Sequence, residues 1–207
     1  MGKPMLELYI NPPKSSWSLR VWLLLKMLDI PFNTKIVRYL ADINQQRQQF
    51  QQFSPTAKIP VLVDHNHTVW DSLAIVEYVA ETYPQVWASD KIARAWSRSA
   101  CAEMHSGFTV LREICDFRPL ERIELTQTPP ELVAELTRID ELWQEGLNCF
   151  SGNFLAGNEF TAVDAFFAPV ALRIETYGLH RYFSEQALAY QRRLLSLPEL
   201  NEWLKHK

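Results

Sequence analysis

Glycine is scarce in this chain, with six in 207 residues, and this scarcity argues against one group of functions. A phosphate-binding loop needs closely spaced glycines, so that backbone N–H groups can surround the anion, and the sequence contains no such loop. The Gly-x-Ser-x-Gly elbow of serine hydrolases is missing as well. Neither a nucleotide-phosphate loop nor a hydrolase nucleophile is therefore predicted.

Cysteine is equally limited. Cys101, Cys115 and Cys149 are odd in number and widely spaced, with no Cys-x-x-Cys pair. A disulfide framework or a zinc site would need a different arrangement, so we expect reduced thiols that are mostly buried in helices. His65 and His67 have no further ligand at metal-binding spacing. No metal site is predicted.

The charge balance and the apolar runs exclude two classes of partner. A net charge of −3 and a pI near 6.0 give no basic face for nucleic acid. The apolar run Val21 to Leu25 stops at Lys26, far short of the roughly 18 residues of a membrane span. Residues 1–8 include Glu7 and do not resemble a signal peptide. We expect a cytoplasmic protein without nucleic-acid or membrane partners.

The first part of the chain alternates predicted strands and helices. Leu6, Leu8 and Ile10 alternate with polar residues as a strand does, and residues 17–29 are apolar nearly all round, as in a buried helix. Further strands are predicted over residues 32–36, 59–63 and 68–70, and helices over 44–52 and 71–83. The order β-α-β-α-β-β-α predicts a small sheet flanked by helices.

The remainder of the chain shows only helical patterns. Helices are predicted over residues 90–117, 131–150, 161–177, 184–195 and 198–205. The change of pattern falls near residues 85–88. It predicts two domains of unlike class, an α/β domain over residues 1–84 and an all-α domain over residues 89–207.

The turn after the first strand carries the hydroxyls of Ser15, Ser16 and Ser18 around Trp17. A helix that begins there presents unpaired backbone N–H groups and a partial positive charge, which favour anions. A serine hydroxyl in this place can donate a hydrogen bond to a thiolate, the nucleophilic form of a thiol. Serines before an apolar helix more commonly cap it, and the turn by itself favours that interpretation.

Two later features can likewise be interpreted either as ligand-binding or as purely structural. A cis peptide at Ile59–Pro60 would turn the Ile59 backbone outward to pair with an extended ligand, whereas a trans proline would only start the strand. The helix start at Asp71-Ser72 suits an ammonium on Asp71 and a carboxylate on Ser72, but capping explains both residues equally well. Residues 161–164 have capping-box spacing, which we interpret as structural.

Together these segments resemble the cytosolic glutathione transferase family along the whole chain. Residues 15–21 (Ser-Ser-Trp-Ser-Leu-Arg-Val) resemble the Ser-Ser-Cys-Ser-x-Arg-Val signature of the zeta class, with Trp17 in place of cysteine. Residues 54–62 are similar to the segment that leads into the family's cis-proline, and residues 71–78 to its γ-glutamyl-binding helix start. Residues 158–164 match its capping box, and residues 103–108 are similar to a bacterial subset.

The resemblance implies a thioredoxin-like first domain that binds glutathione and a helical second domain that completes the site, commonly in a homodimer. Ser15 would be the thiol-activating hydroxyl, with Ser16 or Ser18 as alternatives. The implied glutathione-binding residues are Ser16, Trp17, Lys58, Ile59, Pro60, Asp71 and Ser72. The implied walls of the acceptor pocket are Pro12, Pro13, His105 and Arg112. Glutathione is the expected co-substrate, without a metal.

Each end of glutathione has an implied partner. Ile59 would pair its backbone with the cysteinyl unit, Lys58 would meet the glycyl carboxylate, and Asp71 and Ser72 would hold the γ-glutamyl end. The leading hypothesis is a transferase that conjugates glutathione to a hydrophobic electrophile. A glutathione-dependent isomerase acting on maleylacetoacetate is the alternative, and a non-catalytic binding protein with the same fold is a third. A reductase is disfavoured, since reductases of this fold generally carry cysteine at the Ser15 position.

Overall fold

The structure is a computed structural model that describes residues 6–206. Strands and helices alternate in its first part, as the sequence pattern predicts. In chain order the elements are β1 (Leu6–Ile10), α1 (Ser16–Met27), β2 (Phe32–Ile36), α2 (Ile43–Phe50), β3 (Val61–Asp64), β4 (His67–Trp70) and α3 (Ser72–Ala80). The predicted third strand is displaced by two residues, because the ladder begins only after Pro60, which has no N–H to donate.

The four strands form one mixed sheet in the order β2-β1-β3-β4. β1 is parallel to β2 and antiparallel to β3, and β3 is antiparallel to β4. Leu8 lies opposite Thr34 on one side and Leu62 on the other. Leu8 and Ile10 are fully buried, as their alternation predicts. After β1 the chain passes through the loop of residues 11–15 into α1.

Helices make up the second part of the described chain. They are α4 (Lys91–Ser106), α5 (Thr109–Ile114), α6 (Pro130–Phe150), α7 (Ala162–Tyr177), α8 (Glu185–Leu195) and α9 (Pro198–Lys205), with short 3₁₀ turns at Pro84–Val86 and Leu179–Tyr182. None of the helices between residues 6 and 206 is long and apolar enough to cross a membrane.

The single helix predicted over residues 90–117 is wrong, because the chain breaks between α4 and α5. Phe108 has a left-handed backbone, with φ 54°, and its side chain is buried. Arg112 on α5 turns back and donates hydrogen bonds to the carbonyls of Met104 and His105, which end α4 without an intrahelical partner. Gly107, a residue type that commonly ends helices, is the C-cap of α4, and the buried Phe108 ring and the arginine of α5 stabilise the break.

Helix α7 lies at the centre of the molecule. Its capping box is formed, with the buried Asp164 carboxylate accepting from the Thr161 N–H at 3.0 Å, the Leu155 N–H at 3.0 Å and the Tyr190 hydroxyl at 2.8 Å. Burial raises the pKa of Asp164 to about 6 despite these donors. Residues 161–164 therefore form the structural capping box that their spacing predicts.

The sheet part and the helical part share one apolar core. Helix α1 packs against α7 and α9, and the rings of Trp22 and Trp203 lie 5.3 Å apart across that contact. Lys26 pairs with Glu202 at 2.9 Å on its rim. The buried face of α1 therefore fixes the turn at Ser15 relative to the helical part.

Candidate active site at the start of helix α1

Ser15 caps α1 and also faces a cavity. Its backbone is extended, and its Oγ accepts a hydrogen bond from the Ser18 N–H at 3.1 Å. Tyr39 lines the same cavity, and burial raises the pKa of its hydroxyl above the ordinary value, an effect that the nearby Ser15 hydroxyl opposes. Capping uses a lone pair of the serine oxygen, whereas donation uses its proton. The two roles are therefore compatible in one side chain.

The other two serines of the turn lie elsewhere. Ser16 is the first residue of α1 and is buried, and Ser18 is fully buried, with no hydrogen-bond partner for its Oγ within residues 6–206. Neither lines the cavity that Ser15 faces. Of the three hydroxyls in the turn, Ser15 is the one with access to a ligand.

The cavity has a volume of about 640 Å³ and lies over the ends of α1, β3 and α3. We call it the Ser15 cavity. Its lining residues are Ser15, Trp17, Tyr39, Gln46, Phe50, Thr56, Ala57, Lys58, Ile59, Pro60, Trp70, Asp71 and Ser72. Three segments that are far apart in sequence thus meet around one space: the α1 turn, the loop before β3 and the start of α3.

The loop before β3 is organised by a serine. Ser54 Oγ accepts from the Lys58 N–H at 3.1 Å and donates to the Lys58 carbonyl at 2.7 Å, which closes the loop. The Ile59–Pro60 peptide that follows is cis. Ile59 lines the cavity and lies outside the ladder, which begins at Val61. Its backbone polar groups are therefore not committed to the sheet.

Helix α3 begins at the cavity with a residue in an unusual conformation. Asp71 has a φ of 74°, and its Oδ1 accepts from the N–H groups of Leu73 at 2.9 Å and Ala74 at 3.3 Å. Ser72 is buried, and its Oγ receives a hydrogen bond from Arg20 at 3.4 Å. A left-handed aspartate is uncommon, and such positions cluster at ligand sites.

A buried cation stands behind Ser72. The Arg20 guanidinium lies 4.2 Å from the ring centre of Trp17 and 4.7 Å from that of Phe166. Burial, followed by repulsion from Arg112, lowers the pKa of Arg20 to about 9. Its Nε has no hydrogen-bond partner among the described residues. Positive charge therefore accumulates next to the start of α3, which suits a carboxylate there.

His105 and Arg112 lie behind Trp17 and do not line the Ser15 cavity. The His105 ring meets the Trp17 ring edge-on at 5.2 Å, and the Arg112 guanidinium lies 5.2 Å from the same ring. Pro12 and Pro13 form a cis peptide in the loop before Ser15 and also lie outside the lining. Their placement in an acceptor pocket remains a prediction.

Sequence reasoning missed six lining residues, which are Tyr39, Gln46, Phe50, Thr56, Ala57 and Trp70. Tyr39 lies in the loop after β2, Gln46 on the glutamine-rich helix α2 and Trp70 at the end of β4. Tyr39 and Trp70 are large aromatic residues with 43% and 44% exposure, and exposed aromatics are a usable sign of a binding surface. Gln46 is held in place by accepting from the Leu40 N–H at 2.9 Å.

Within residues 6–206, no group of three or more His, Cys, Asp or Glu side chains is arranged to hold a metal ion. The polar groups that line the cavity include the hydroxyls of Ser15 and Ser72, Lys58 and Asp71, next to two helix N-termini. That set suits a zwitterionic ligand with carboxylates, an ammonium group and a nucleophile near Ser15.

Comparison with known proteins identifies the class to which this site belongs. The glutathione S-transferase N-terminal domain model matches residues 14–82, and the corresponding C-terminal domain model matches residues 94–206. The chain therefore belongs to the glutathione S-transferase family, as its resemblance implies, and is a glutathione-dependent enzyme.

Individual relatives agree with this placement. A probable maleylacetoacetate isomerase of Caenorhabditis elegans is 28% identical over 86% of this chain and 81% of the worm protein. Glutathione S-transferase Z2 of Arabidopsis thaliana is 29% identical over 72% of this chain and 67% of the plant protein. A glutathione transferase homologue from Burkholderia with bound glutathione has a TM-score of 0.71, at 22% identity and 97% coverage of both chains. The predicted thioredoxin-like domain followed by a helical domain is confirmed.

Proposed function

We propose that this chain conjugates glutathione to an electrophilic small molecule and that Ser15 stabilises the attacking thiolate. The observation that carries the proposal is the position of Ser15. It is the hydroxyl of the turn that lines the cavity, at the N-terminus of α1, opposite Ile59 and the start of α3. The positive end of α1 and a hydroxyl proton both favour an anion at this point.

The remaining lining residues provide for the rest of glutathione. Ser72, with Arg20 behind it and the helix N-terminus beside it, suits the γ-glutamyl carboxylate, and Asp71 suits the ammonium group. Ile59 offers uncommitted backbone groups to the cysteinyl unit, and Lys58 offers a cation to the glycyl carboxylate. Ser16, Trp17 and Pro60 contribute by shaping the turn and the cavity wall.

The chemistry that these residues support is nucleophilic substitution or addition by sulfur. The Ser15 hydroxyl donates a hydrogen bond to the sulfur. This bond stabilises the thiolate, so it lowers the pKa of the bound thiol and raises the thiolate fraction at neutral pH. Ser15 forms no covalent bond to the substrate. The hydrophobic electrophile would enter from the side of the helical domain, where we place Pro12, Pro13, His105 and Arg112 in the acceptor wall.

Titration of bound glutathione by thiolate absorbance tests the role of Ser15. A free thiol has a pKa near 8.5, and we expect the bound thiol to titrate below that value. Since a hydrogen bond to a charged group contributes about 1.5–3 kcal/mol, the substitution Ser15→Ala should raise the bound thiol pKa by about 1–2 units.

The matched control is Ser99→Ala, at an exposed serine of α4 that does not line the cavity. It should leave the bound thiol pKa at the wild-type value. An unshifted thiol in the wild type, or equal pKa values in wild type and Ser15→Ala, would contradict the proposed activation.

Isomerisation is the second candidate function. The observation that favours it is the likeness to maleylacetoacetate isomerases over most of the chain, together with the serine-rich motif at residues 15–21. Both reactions use the same thiolate, so turnover separates them. Faster turnover of maleylacetone than of chlorodinitrobenzene would indicate the isomerase, and the reverse would indicate the transferase.

Three further statements belong to the proposal. Glutathione binding is assigned to a domain of residues 1–84 and the acceptor wall to a domain of residues 89–207. The enzyme acts in the cytoplasm, the compartment where reduced thiols persist. It is a homodimer, as the family resemblance implies.

A further inference from the structure

His105 connects the helical part of the chain to the start of α3. It lies in the last turn of α4, and its Nε2 is 3.0 Å from Asp71 Oδ2. The other oxygen of Asp71 is already occupied by the N–H groups of Leu73 and Ala74. Asp71 Oδ2 takes no part in the cap of α3. Its contact with His105 therefore fixes the direction in which this oxygen points.

The chemistry of this contact determines which nitrogen of His105 carries the proton. A carboxylate only accepts, so the neutral tautomer that can pair with Asp71 is the one that carries its proton on Nε2. Nδ1 is buried and has no hydrogen-bond partner among the described residues. Adding a proton to Nδ1 would place an unpaired N–H in an apolar environment, which disfavours the cationic imidazolium.

The charges around His105 act in the same direction. Burial is the main cause that lowers the pKa of His105 below its ordinary value of 6.5, and the cations Arg20 on α1 and Arg112 on α5 lower it further. Asp71 opposes them. From α7, Phe166 contributes only an aromatic ring, 6.4 Å away. His105 is therefore neutral at pH 7, and a neutral imidazole forms no ion pair with Asp71 that would compete with a ligand cation.

We propose that His105 is a positioning residue that aims the Asp71 carboxylate at the ammonium group of the γ-glutamyl unit, and that protonation of His105 below neutral pH weakens glutathione binding. The inference rests on the proposed function, which places that ammonium on Asp71. A charged imidazolium would pair with Asp71 and compete with the ligand cation. Affinity should accordingly fall as the pH drops through the pKa of His105.

Calorimetric titration with S-methylglutathione between pH 7.5 and pH 5.0 tests the proposal. The methyl group removes the thiol, so the measurement is independent of Ser15, and the ligand carboxyls titrate below about pH 4. In the wild type, Kd should rise about three- to tenfold across this range. An analogue that lacks the α-amino group should bind more weakly, with a Kd that does not change with pH.

Two substitutions at His105 separate positioning from structure. His105→Phe retains a ring against Trp17 but loses the donor, and it should weaken S-methylglutathione about three- to tenfold at pH 7.5 while leaving the amino-free analogue unchanged. His105→Gln keeps an N–H donor that does not titrate, so it should retain the wild-type affinity and lose the pH dependence. His67→Gln, at the exposed first residue of β4, is the matched control and should keep the wild-type pH profile.

The outcomes distinguish this inference from the function on which it rests. A pH-independent Kd in the wild type, or equal losses for both ligands in His105→Phe, would overturn the positioning role and leave the proposed function standing. If His105→Phe does not fold, the pH profile of His105→Gln decides the matter. Failure of the wild type to bind S-methylglutathione at any pH would overturn both.

Discussion

Arg20 is a buried cation that reduces the stability of the fold and supplies positive potential to the Ser15 cavity. Its guanidinium is 2% exposed, and its Nε is unpaired within residues 6–206. Two aromatic rings and one long hydrogen bond to Ser72 are weak compensation for removing a cation from water. Such a residue is most simply explained by the positive potential that it supplies behind Ser72.

We therefore expect Arg20→Met to separate stability from binding. Methionine fills a similar volume and packs well against aromatic rings, so the free energy of unfolding in urea should stay the same or rise by up to about 2 kcal/mol. Glutathione affinity should fall, because the charge behind Ser72 is lost. Arg20→Lys, which buries a more strongly hydrated cation, should be less stable than Arg20→Met. A Met variant that is less stable than the Lys variant would refute this account.

Helix α6 illustrates a constraint at the scale of a secondary-structure element. Gly146 lies on its buried face, where a Cβ would be 2.6 Å from the Leu155 carbonyl oxygen and 2.6 Å from the Trp96 ring. The glycine lets the segment after α6 and helix α4 approach the helix backbone closely. It weakens α6 as an isolated helix but is required by its neighbours.

Gly146→Ala should therefore destabilise the protein despite improving helix propensity. Alanine gains about 1 kcal/mol over glycine in a helix, whereas forcing atoms into a packed core costs about 1–3 kcal/mol. We expect a net loss of up to about 2 kcal/mol in urea unfolding. Glu145→Ala, at the exposed neighbouring position, should change stability by less than about 0.5 kcal/mol. A more stable Gly146→Ala would show that α4 and the 155 segment can move aside.

At the scale of the whole molecule, the surface carries large apolar side chains that the core does not use. Trp70 on the edge strand β4 is 44% exposed, and Ile92 in the first turn of α4 is 67% exposed. Large apolar side chains that are exposed on a sheet edge or on a helix favour association with another surface. A second copy of the chain is the occupant that the family resemblance implies.

Sedimentation equilibrium should give twice the 24.1 kDa of one chain. Placing a charge at Ile92, in Ile92→Glu, should shift the equilibrium toward the monomer, because an unpaired charge is costly in an interface. Leu120→Glu, at a 63% exposed apolar residue in the loop between α5 and α6, is the matched control and should remain dimeric. A monomeric wild type would contradict the proposed dimer.

The sequence alone determined the features that arise from local periodicity and spacing. The alternation at Leu6, Leu8 and Ile10 predicted β1, and the spacing of Thr161 and Asp164 predicted the cap of α7, because both patterns act between near neighbours along the chain. The ordered motifs from residue 15 to residue 78 indicated the family.

Only the tertiary structure decided which of these residues meet. It placed Ser15 at the cavity and Ser16 and Ser18 away from it, although all three share one turn. It ended α4 before Phe108 with the help of an arginine from the next helix, and it brought His105 to Asp71 from another element. These outcomes depend on packing between different elements of the fold, which local helix and strand propensities do not describe. The chemistry of the Ser15 turn is therefore determined by the whole fold.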